Sequence, residues 1–297
     1  WEKPLLHIGD VSLQASASVV PGVNHAADWI DCSPETDGLI ACLVEVLQPV
    51  AQRAWRRPLK DAEMQGLIDL AIAQLNLGVS FNQAVQTAFE AILLSPHFLF
   101  FVEVPPVGAP ADTLTLTDHQ LATRLSYFLW NSMPDDALMD AANQGTLSDP
   151  LVLRAEVERM LSDPKVEGMV HNLADQWLLG RELKGATPSV AHFPDFDEPL
   201  RAAMLAEVRQ FIWTMLLEDR PLGALLTSTE LHVDARLAAH YGVETDVAVG
   251  QPEVADDPTG QRRGVMGLGG VLTALSHPTK TSPSRRGKWV ATRLLCH

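Results

Sequence analysis

The chain has 297 residues, of which 46% are hydrophobic, so it holds enough apolar material for one large domain or two packed subdomains. The longest apolar runs are interrupted by Arg, Glu or Gln before they reach about 18 residues, and the sequence therefore predicts no membrane span. The formal net charge of −15 argues against nucleic acid as the main partner, because a phosphate-binding domain is normally basic over its whole footprint.

The first 31 residues differ from the rest of the chain because apolar and small polar residues alternate in them. Val11, Leu13, Ala15 and Ala17 would share one face of a strand, and a turn is indicated at 21–24. Residues 1–31 are therefore predicted to form a small β-rich element.

Residues 32–104 are predicted to form a first helical subdomain. From Asp37 onward apolar residues recur at helical spacing. Ser80 and Gln83 have the spacing of a capping box at the start of a later helix. A run rich in proline and glycine at 105–110 then predicts a subdomain boundary.

Residues 111–245 are predicted to form the main helical subdomain. Thr117 and Gln120 have the spacing of a capping box, which predicts a helix that begins directly after Thr117. The apolar residues that follow recur at helical spacing and predict its buried face: Leu121, Leu125, Phe128 and Leu129.

Further helix boundaries are indicated by side chains that cap helices. Ser132 is expected to cap the next helix, and Asp163 and Asp197 are expected to begin two later ones. Gly242 is expected to end a short helix in the left-handed conformation. The stretch from there to Gly260, rich in Asp, Val, Pro and Gly, is predicted to be a loop.

Positive charge is concentrated at the end of the chain, because no acidic residue follows Asp257 while seven Lys and Arg do. Residues 261–297 are therefore predicted to form a basic helical segment. One interpretation is that this segment docks on the acidic body of its own protein. The other is that an anion binds at the turn after Ser282, where Arg285 and Arg286 would converge.

Five residues within the helical text are further binding candidates. Arg124 is most simply an ion-paired or snorkelling side chain, and Glu207 is expected to pair with it across a helix contact. His240 is either a structural histidine or a ligand of a haem held elsewhere. Gln176 stands beside Trp177, an arrangement more typical of helix packing than of substrate binding.

Signatures of well-known catalytic and cofactor sites do not occur in the sequence. There is no GxSxG elbow, HExxH helix, P-loop or CxxCH haem-attachment motif, and no Cys or His pairs have the spacing of a zinc site. The sequence therefore predicts no metal site and no covalently bound cofactor in these residues. A helical body without such motifs favours a binding or scaffold role.

Several ordered motifs carry a family resemblance: RAWRRPL, LTDHQLATRLSYFLWNSMPDD, QWL, FPDFD and HPTKTSPSRRGKWV. They closely resemble those of a large family of secreted proteins of unknown function, abundant in planctomycetes and myxobacteria. Members of that family combine several uncharacterised domains with c-type cytochrome segments. The resemblance runs from about Cys32 to the end of the chain, and it implies a periplasmic or extracellular protein.

Cys32 and Cys42 are ten residues apart and flank a polar loop. They are either two reduced, buried thiols or a disulfide, and the secreted setting that the resemblance implies favours the disulfide. Cys296 is then the odd cysteine, and it is expected to have a partner in chain that continues past His297 or in a companion chain, with cytochrome-bearing material as the expected content. Covalent haem at Cys296 is not expected, because Arg293 stands where a haem-attachment motif needs its first Cys.

The predicted fold class is mainly α, a bundle-like body of many helices in two subdomains with a small N-terminal β element. The resemblance implies the helical body of a secreted electron-transfer or redox enzyme, with haem c, if present, in the rest of the protein or in a partner. The alternative is a non-catalytic module that binds a partner protein or an extracellular polymer and presents the cytochrome.

Overall fold

Most helix starts indicated by the sequence are present in the computed structural model, which describes residues 30–103, 116–257 and 259–296. Helices make up most of that part of the chain, and its sheet has two strands of four residues each. The prediction of a mainly α fold with a small β element is therefore confirmed. Residues 1–29 of the predicted N-terminal β element and the boundary predicted at 105–110 lie outside the described residues.

The chain divides into two compact units. The described part of unit 1 comprises 30–103, 116–128 and 132–161, and that of unit 2 comprises 129–131, 162–257 and 259–296. The helices that begin in unit 1 are α1 (Leu39–Trp55), α2 (Asp61–Asn76), α3 (Phe81–Leu94), α4 (Pro96–Leu99), α5 (Asp118–Leu129), α6 (Asp136–Asn143) and α7 (Pro150–Leu161), and a π-helical turn (Pro34–Gly38) precedes α1.

Helices α1, α2 and α3 bury one apolar cluster, because each has an apolar face at helical spacing. Leu43 and Leu47 from α1, Ile68 from α2, and Phe89 and Ile92 from α3 lie within it. The cluster is the core of the first part of unit 1.

Two predicted capping boxes are confirmed. The Gln83 N–H donates to Ser80 Oγ at 3.4 Å, and the Ser80 N–H donates to Gln83 Oε1 at 3.0 Å. Thr117 and Gln120 make the same exchange at 3.3 and 2.8 Å. These bonds satisfy N–H groups that the first turn of a helix leaves without partners, so the two helices begin where the sequence indicates.

The prediction that Ser132 caps the next helix is wrong. Asp135 is the cap, and its carboxylate accepts the Leu138 N–H at 3.0 Å. A carboxylate at this position also interacts with the positive end of the helix dipole, and here Arg159 binds it at 2.8 Å. Asp135 is thus fixed by a residue of α7, which the local sequence does not reveal.

The buried face predicted for α5 is also partly wrong, because Phe128 is 69% exposed and only Leu129 of the four predicted residues is buried. The buried side chains are instead Ala122, Thr123, Ser126 and Leu129, which share one face of the helix. Small side chains allow a neighbouring backbone to approach closely, so this face is buried although it is less apolar.

Arg56 connects the end of α1 to the chain around α4. Its side chain is 6% exposed, and its guanidinium donates to the carbonyl oxygens of His97 at 2.7 Å and of Phe100 at 3.4 Å. We expect Arg56→Met to lower the free energy of unfolding by roughly 2 kcal/mol, because partly buried carbonyl groups lose a charged donor. Chemical denaturation measures this. Arg53→Met, at an exposed site of the same helix, should change stability by less than about 0.5 kcal/mol, and an equal loss in both variants would contradict the expectation.

The predicted disulfide is confirmed: Cys32 and Cys42 are bonded, with their Cα atoms 5.5 Å apart. The bond closes a loop with a sequence separation of 10 residues.

We expect reduction of this disulfide, or the double change of both residues to Ser, to lower the free energy of unfolding by roughly 2–3 kcal/mol through the entropy of the unfolded chain. Denaturation with and without reductant measures this. Cys296→Ser is the control because Cys296 is a free, exposed cysteine, and an unchanged midpoint after reduction would contradict the prediction.

Unit 2 is built around one long helix, α10 (Glu198–Leu217). The other elements of unit 2 are α8 (Glu167–Trp177), α9 (Gly180–Gly185), α11 (Ala224–Thr227), β1 (Glu230–Val233), α12 (Ala235–Tyr241), β2 (Glu253–Asp256), α13 (Gly264–Gly267), α14 (Gly269–Ala274) and α15 (Pro283–Trp289), with a 3₁₀ turn (Pro164–Val166) before α8 and a π-helical turn (Val290–Leu294) after α15. Residues of α10 lie in two apolar clusters, one with α8, α13 and α14, the other with α9, β1 and α12. The long helix is therefore buried on more than one side.

The loop predicted between Gly242 and Gly260 is wrong in one part, because β2 lies within it. Strand β2 pairs antiparallel with β1, so that Leu231 lies opposite Ala255. Four residues are too few to show a clear alternation in the sequence, and the pairing depends on β1 being packed against α10. Gly242 itself ends α12 with φ +71°, as predicted.

Glycines in α14 allow it to lie close to α10. A Cβ atom on Gly270 would be 2.9 Å from Val208 Cγ2 and 3.0 Å from the Met204 carbonyl oxygen. The close approach expected of this glycine-rich stretch is therefore present. None of the helices within the described ranges is long and apolar enough to cross a membrane.

Candidate ligand-binding site

A cavity of about 880 Å³ opens on the surface of unit 2. One wall is the segment 185–196 between α9 and α10, and the opposite walls come from α12, α14 and the segment that leads into α15. The Ser189 N–H donates to the Pro278 carbonyl oxygen at 2.8 Å, which joins two of these walls. Arg201 donates to the carbonyl oxygens of Leu183 at 2.6 Å and Ala186 at 2.7 Å, which fixes the start of the first wall.

A carboxyl group lies beneath the cavity and is shielded from water. Glu207 on α10 is 0% exposed, and Tyr241 Oη lies 3.0 and 2.9 Å from its two oxygens. The Gly269 N–H donates to Tyr241 Oη at 2.8 Å and to Glu207 Oε2 at 3.1 Å. Tyr241 and Gly269 both line the cavity, so they separate the buried carboxyl group from any ligand.

The burial of this group determines its protonation. Burial raises the pKa of Glu207 from its ordinary value of 4.5 to about 8, and the hydrogen bonds from Tyr241 and Gly269 and the charge of Arg262 oppose that shift only in part. Burial, and then the neighbouring Glu207, raise the pKa of Tyr241 well above its usual range. Both groups are therefore neutral near pH 7.

Arg262 covers the other side of Tyr241. The central carbon of its guanidinium lies 3.6 Å from the centre of the Tyr241 ring, a close cation–π contact. Its Nη1 donates to the Gly267 carbonyl oxygen at 2.9 Å. Within the described ranges no carboxylate forms an ion pair with Arg262.

Arg285 and three histidines are also part of the polar lining. Arg285 Nη1 donates to the Ser276 carbonyl oxygen at 2.9 Å. His192, His240 and His277 also face the cavity. Desolvation, and then the charge of Arg262, lower the pKa of His240, which keeps its imidazole neutral near pH 7.

Three of the predicted candidates therefore lie at one place. His240 and Arg285 line the cavity, and Glu207 lies behind its wall, although these residues are far apart in the sequence. The prediction that Glu207 pairs with Arg124 is wrong: Glu207 is bonded to Tyr241, and Arg124 pairs with Glu103 in unit 1. A partner across long range depends on the packing of helices, which helical spacing alone does not determine.

The other candidates lie elsewhere. Gln176 is exposed and bonds to Asn172 one helical turn before it. Trp177 Nε1 donates to the Arg293 carbonyl oxygen at 3.2 Å and so ties α8 to the end of the chain. Arg286 is half-buried in α15, which has only seven residues, and it does not line the cavity.

Sequence reasoning missed Tyr241, Arg262 and Gly269. Arg262 was one of the seven cations in the acid-free end of the chain, and that charge pattern was the available signal. Among the residues that the structure describes, none of these seven cations forms an ion pair. The segment does pack against the body of unit 2, but through apolar side chains such as Val271 and Trp289.

No cluster of three His, Cys, Asp or Glu side chains in the described part of the chain has the geometry to hold a metal ion. The histidines of the cavity are accompanied by arginine and aromatic side chains, a set suited to an organic ligand.

Two regions of the chain match known protein families. Residues 116–243 match PSD4, a protein of unknown function (DUF1592), and residues 42–103 match PSD5, a protein of unknown function (DUF1595). No curated protein and no solved structure matches the chain. Glu207 and Tyr241 fall inside the PSD4 region, whereas Arg262 and Arg285 follow it. The chain is thus similar to PSD5 over one region and to PSD4 over the region that follows, and the function of both families is unknown.

Proposed function

We propose that unit 2 binds a small organic molecule in the cavity between the segment 185–196, α12 and α14. The observation that supports this proposal is the cavity itself, whose volume of about 880 Å³ is within the range of sites for small molecules. Phe193, Phe196 and Leu272 supply apolar wall, while Arg262 and His240 supply polar groups that converge on the same space. Such a combination binds the body of a ligand and orients its polar end.

Binding is tested by screening a diverse fragment library with ligand-observed NMR. Leu272→Trp places a large side chain into the cavity, and Leu222→Trp is the matched control because Leu222 is 81% exposed and does not line it. We expect fragments that bind the wild type and the control to lose binding to Leu272→Trp. Equal binding by all three proteins, or no binding to the folded wild type, would contradict the proposal.

A redox or electron-transfer role beside cytochrome-bearing material is the second candidate. The disulfide favours it, because such bonds persist in the oxidising compartments where c-type cytochromes also occur. The localisation that goes with this role is periplasmic or extracellular, and the partner is the remainder of the same polypeptide or a companion chain. Haem absorbance of the full-length protein, followed by a redox titration, tests it, and a full-length protein without haem that binds no cytochrome would contradict it.

The redox role and the binding role are compatible. In the redox role, unit 2 presents a bound molecule, or the end of an extracellular polymer, near a cytochrome carried elsewhere. A redox titration of the full-length protein, with and without a fragment identified in the screen, distinguishes the two roles. If unit 2 only binds the fragment and has no redox function, the reduction potential of the haem stays unchanged.

A further inference from the structure

We propose that the cavity selects an organic monoanion, and that Arg262 binds its carboxylate. This inference rests on the proposed function, since it names the chemical class of the ligand for the same cavity. It differs from the anion site considered from the sequence, which lay at the turn after Ser282 and used Arg285 and Arg286.

Arg262 has unused hydrogen-bonding capacity. A guanidinium has five N–H donors in a planar fork, and one Arg262 nitrogen reaches the Gly267 carbonyl oxygen. No carboxylate in the described ranges pairs with it. A partly buried cation of this kind gains most from an anionic partner with two oxygens, because two parallel hydrogen bonds can form.

The position of Arg262 is fixed before a ligand binds. Its guanidinium carbon lies 3.6 Å from the centre of the Tyr241 ring, and the backbone N–H of Arg262 donates to Asp257 Oδ2 at 2.7 Å. A cation that is already oriented loses little side-chain entropy on binding. The guanidinium of Arg262 is thus already positioned at the wall of the cavity before a ligand binds.

The carboxyl groups near Arg262 do not form an ion pair with its guanidinium, and that of Asp257 accepts the backbone N–H of Arg262 at 2.7 Å. Glu207 lies behind Tyr241 and is fully buried, where its protonated form is favoured, and its hydrogen bonds are to Tyr241 and Gly269. The acidic residues that do line the cavity, Glu182 and Asp195, are exposed to water. The charge of Arg262 therefore remains available inside the cavity.

The net charge of the chain favours a monoanion over a dianion. With a net charge of −15, the chain repels anions in proportion to their charge before they reach the cavity. Phe193 and Leu272 near the polar groups favour a ligand whose remaining part is apolar. The ligand class that fits is a carboxylic acid with an apolar or aromatic body.

The test compares acids with amides of the same shape. The probes are benzoate, phenylacetate and 3-phenylpropionate with their primary amides, and phenyl phosphate as a dianion, each titrated by NMR or calorimetry. We expect at least one acid to bind the wild type about tenfold or more tightly than its amide, because the amide lacks the charge. In Arg262→Gln this preference should disappear while amide binding remains. Arg263→Gln is the matched control, since Arg263 is exposed and does not line the cavity.

Each result decides between the two proposals. Equal binding of acids and amides by the wild type, or an acid preference that survives in Arg262→Gln, overturns the carboxylate assignment and leaves the proposed function in place. Tighter binding of phenyl phosphate, lost in Arg262→Gln, replaces the carboxylate by a phosphate. If no probe binds while other fragments bind and are blocked by Leu272→Trp, only the ligand class is wrong. If no fragment binds at all, both proposals fail.

Discussion

Replacement of Glu207 by Gln is expected to make the protein more stable than the wild type in mildly alkaline solution. The reason is that Glu207 is completely buried, and its pKa is raised from 4.5 to about 8. Above that pKa the wild type must either hold a buried negative charge or unfold. A glutamine at this position is neutral at every pH and can still accept the hydrogen bond from Gly269 and donate one to Tyr241.

The direction of the pH dependence follows from how tightly the folded and the unfolded protein bind the Glu207 proton. Since the folded protein holds the Glu207 proton more tightly than the unfolded chain, the stabilisation from this group is complete below pH 4.5 and is lost as the pH rises to about 8. The difference between these two pKa values corresponds to roughly 4–5 kcal/mol. We therefore expect the free energy of unfolding of the wild type to fall, relative to that of Glu207→Gln, by up to that amount between pH 4.5 and 9.

Urea denaturation of both proteins at a series of pH values measures the effect. Glu182→Gln is the control because it removes one carboxylate at the rim of the same cavity, where the side chain is exposed to water. That variant should follow the pH dependence of the wild type. A constant difference between the wild type and Glu207→Gln over the whole range would show that Glu207 keeps one protonation state, which contradicts the prediction.

Replacement of Gly264 by Ala is expected to lower the free energy of unfolding by roughly 3 kcal/mol or more. Gly264 begins α13 with φ +48°, and a Cβ atom there would lie 2.1 Å from the Leu225 carbonyl oxygen and 2.6 Å from its carbon. Both are backbone atoms, which cannot rotate away as a side chain can. Overpacking against the backbone and an unfavourable φ therefore act together.

The matched control is Gly287→Ala in α15, where nothing lies within 4 Å of the added atom and the backbone is helical. This change should leave stability unchanged or raise it by about 0.5–1 kcal/mol, because alanine favours a helix more than glycine does. Denaturation midpoints compare the two variants. Stability of Gly264→Ala within about 1 kcal/mol of the wild type would show that the contact between α11 and α13 can shift freely.

The ionisation of Glu207 also affects the cavity. If Glu207 ionises above pH 8, its charge will lie next to Tyr241 and Arg262, and Arg262 will then have an anionic neighbour within the protein. The pH dependence of stability and the binding of carboxylates thus report on the same three side chains by independent measurements.

What the sequence determined by itself was local. The capping boxes at Ser80 and Thr117 require only that two side chains stand three residues apart, and Asp197 accepts the Leu200 N–H at 2.8 Å for the same reason. Gly242 ends a helix because glycine adopts a positive φ without strain. The bond between Cys32 and Cys42 was predicted from a short polar loop together with the secreted setting that the family resemblance implies.

Which residues come together at the cavity was determined only by the tertiary structure. Glu207 reaches Tyr241 across 34 residues and Gly269 across 62, and such contacts depend on how α12 and α14 close onto α10. The sequence showed Glu207 on a helix but not its partner, because a helical period determines which face a side chain occupies and not which element covers that face. Long-range contacts of this kind form only when the intervening chain is ordered, and packing must offset the entropic cost of that ordering. They are therefore determined by the whole of unit 2 and not by any one segment.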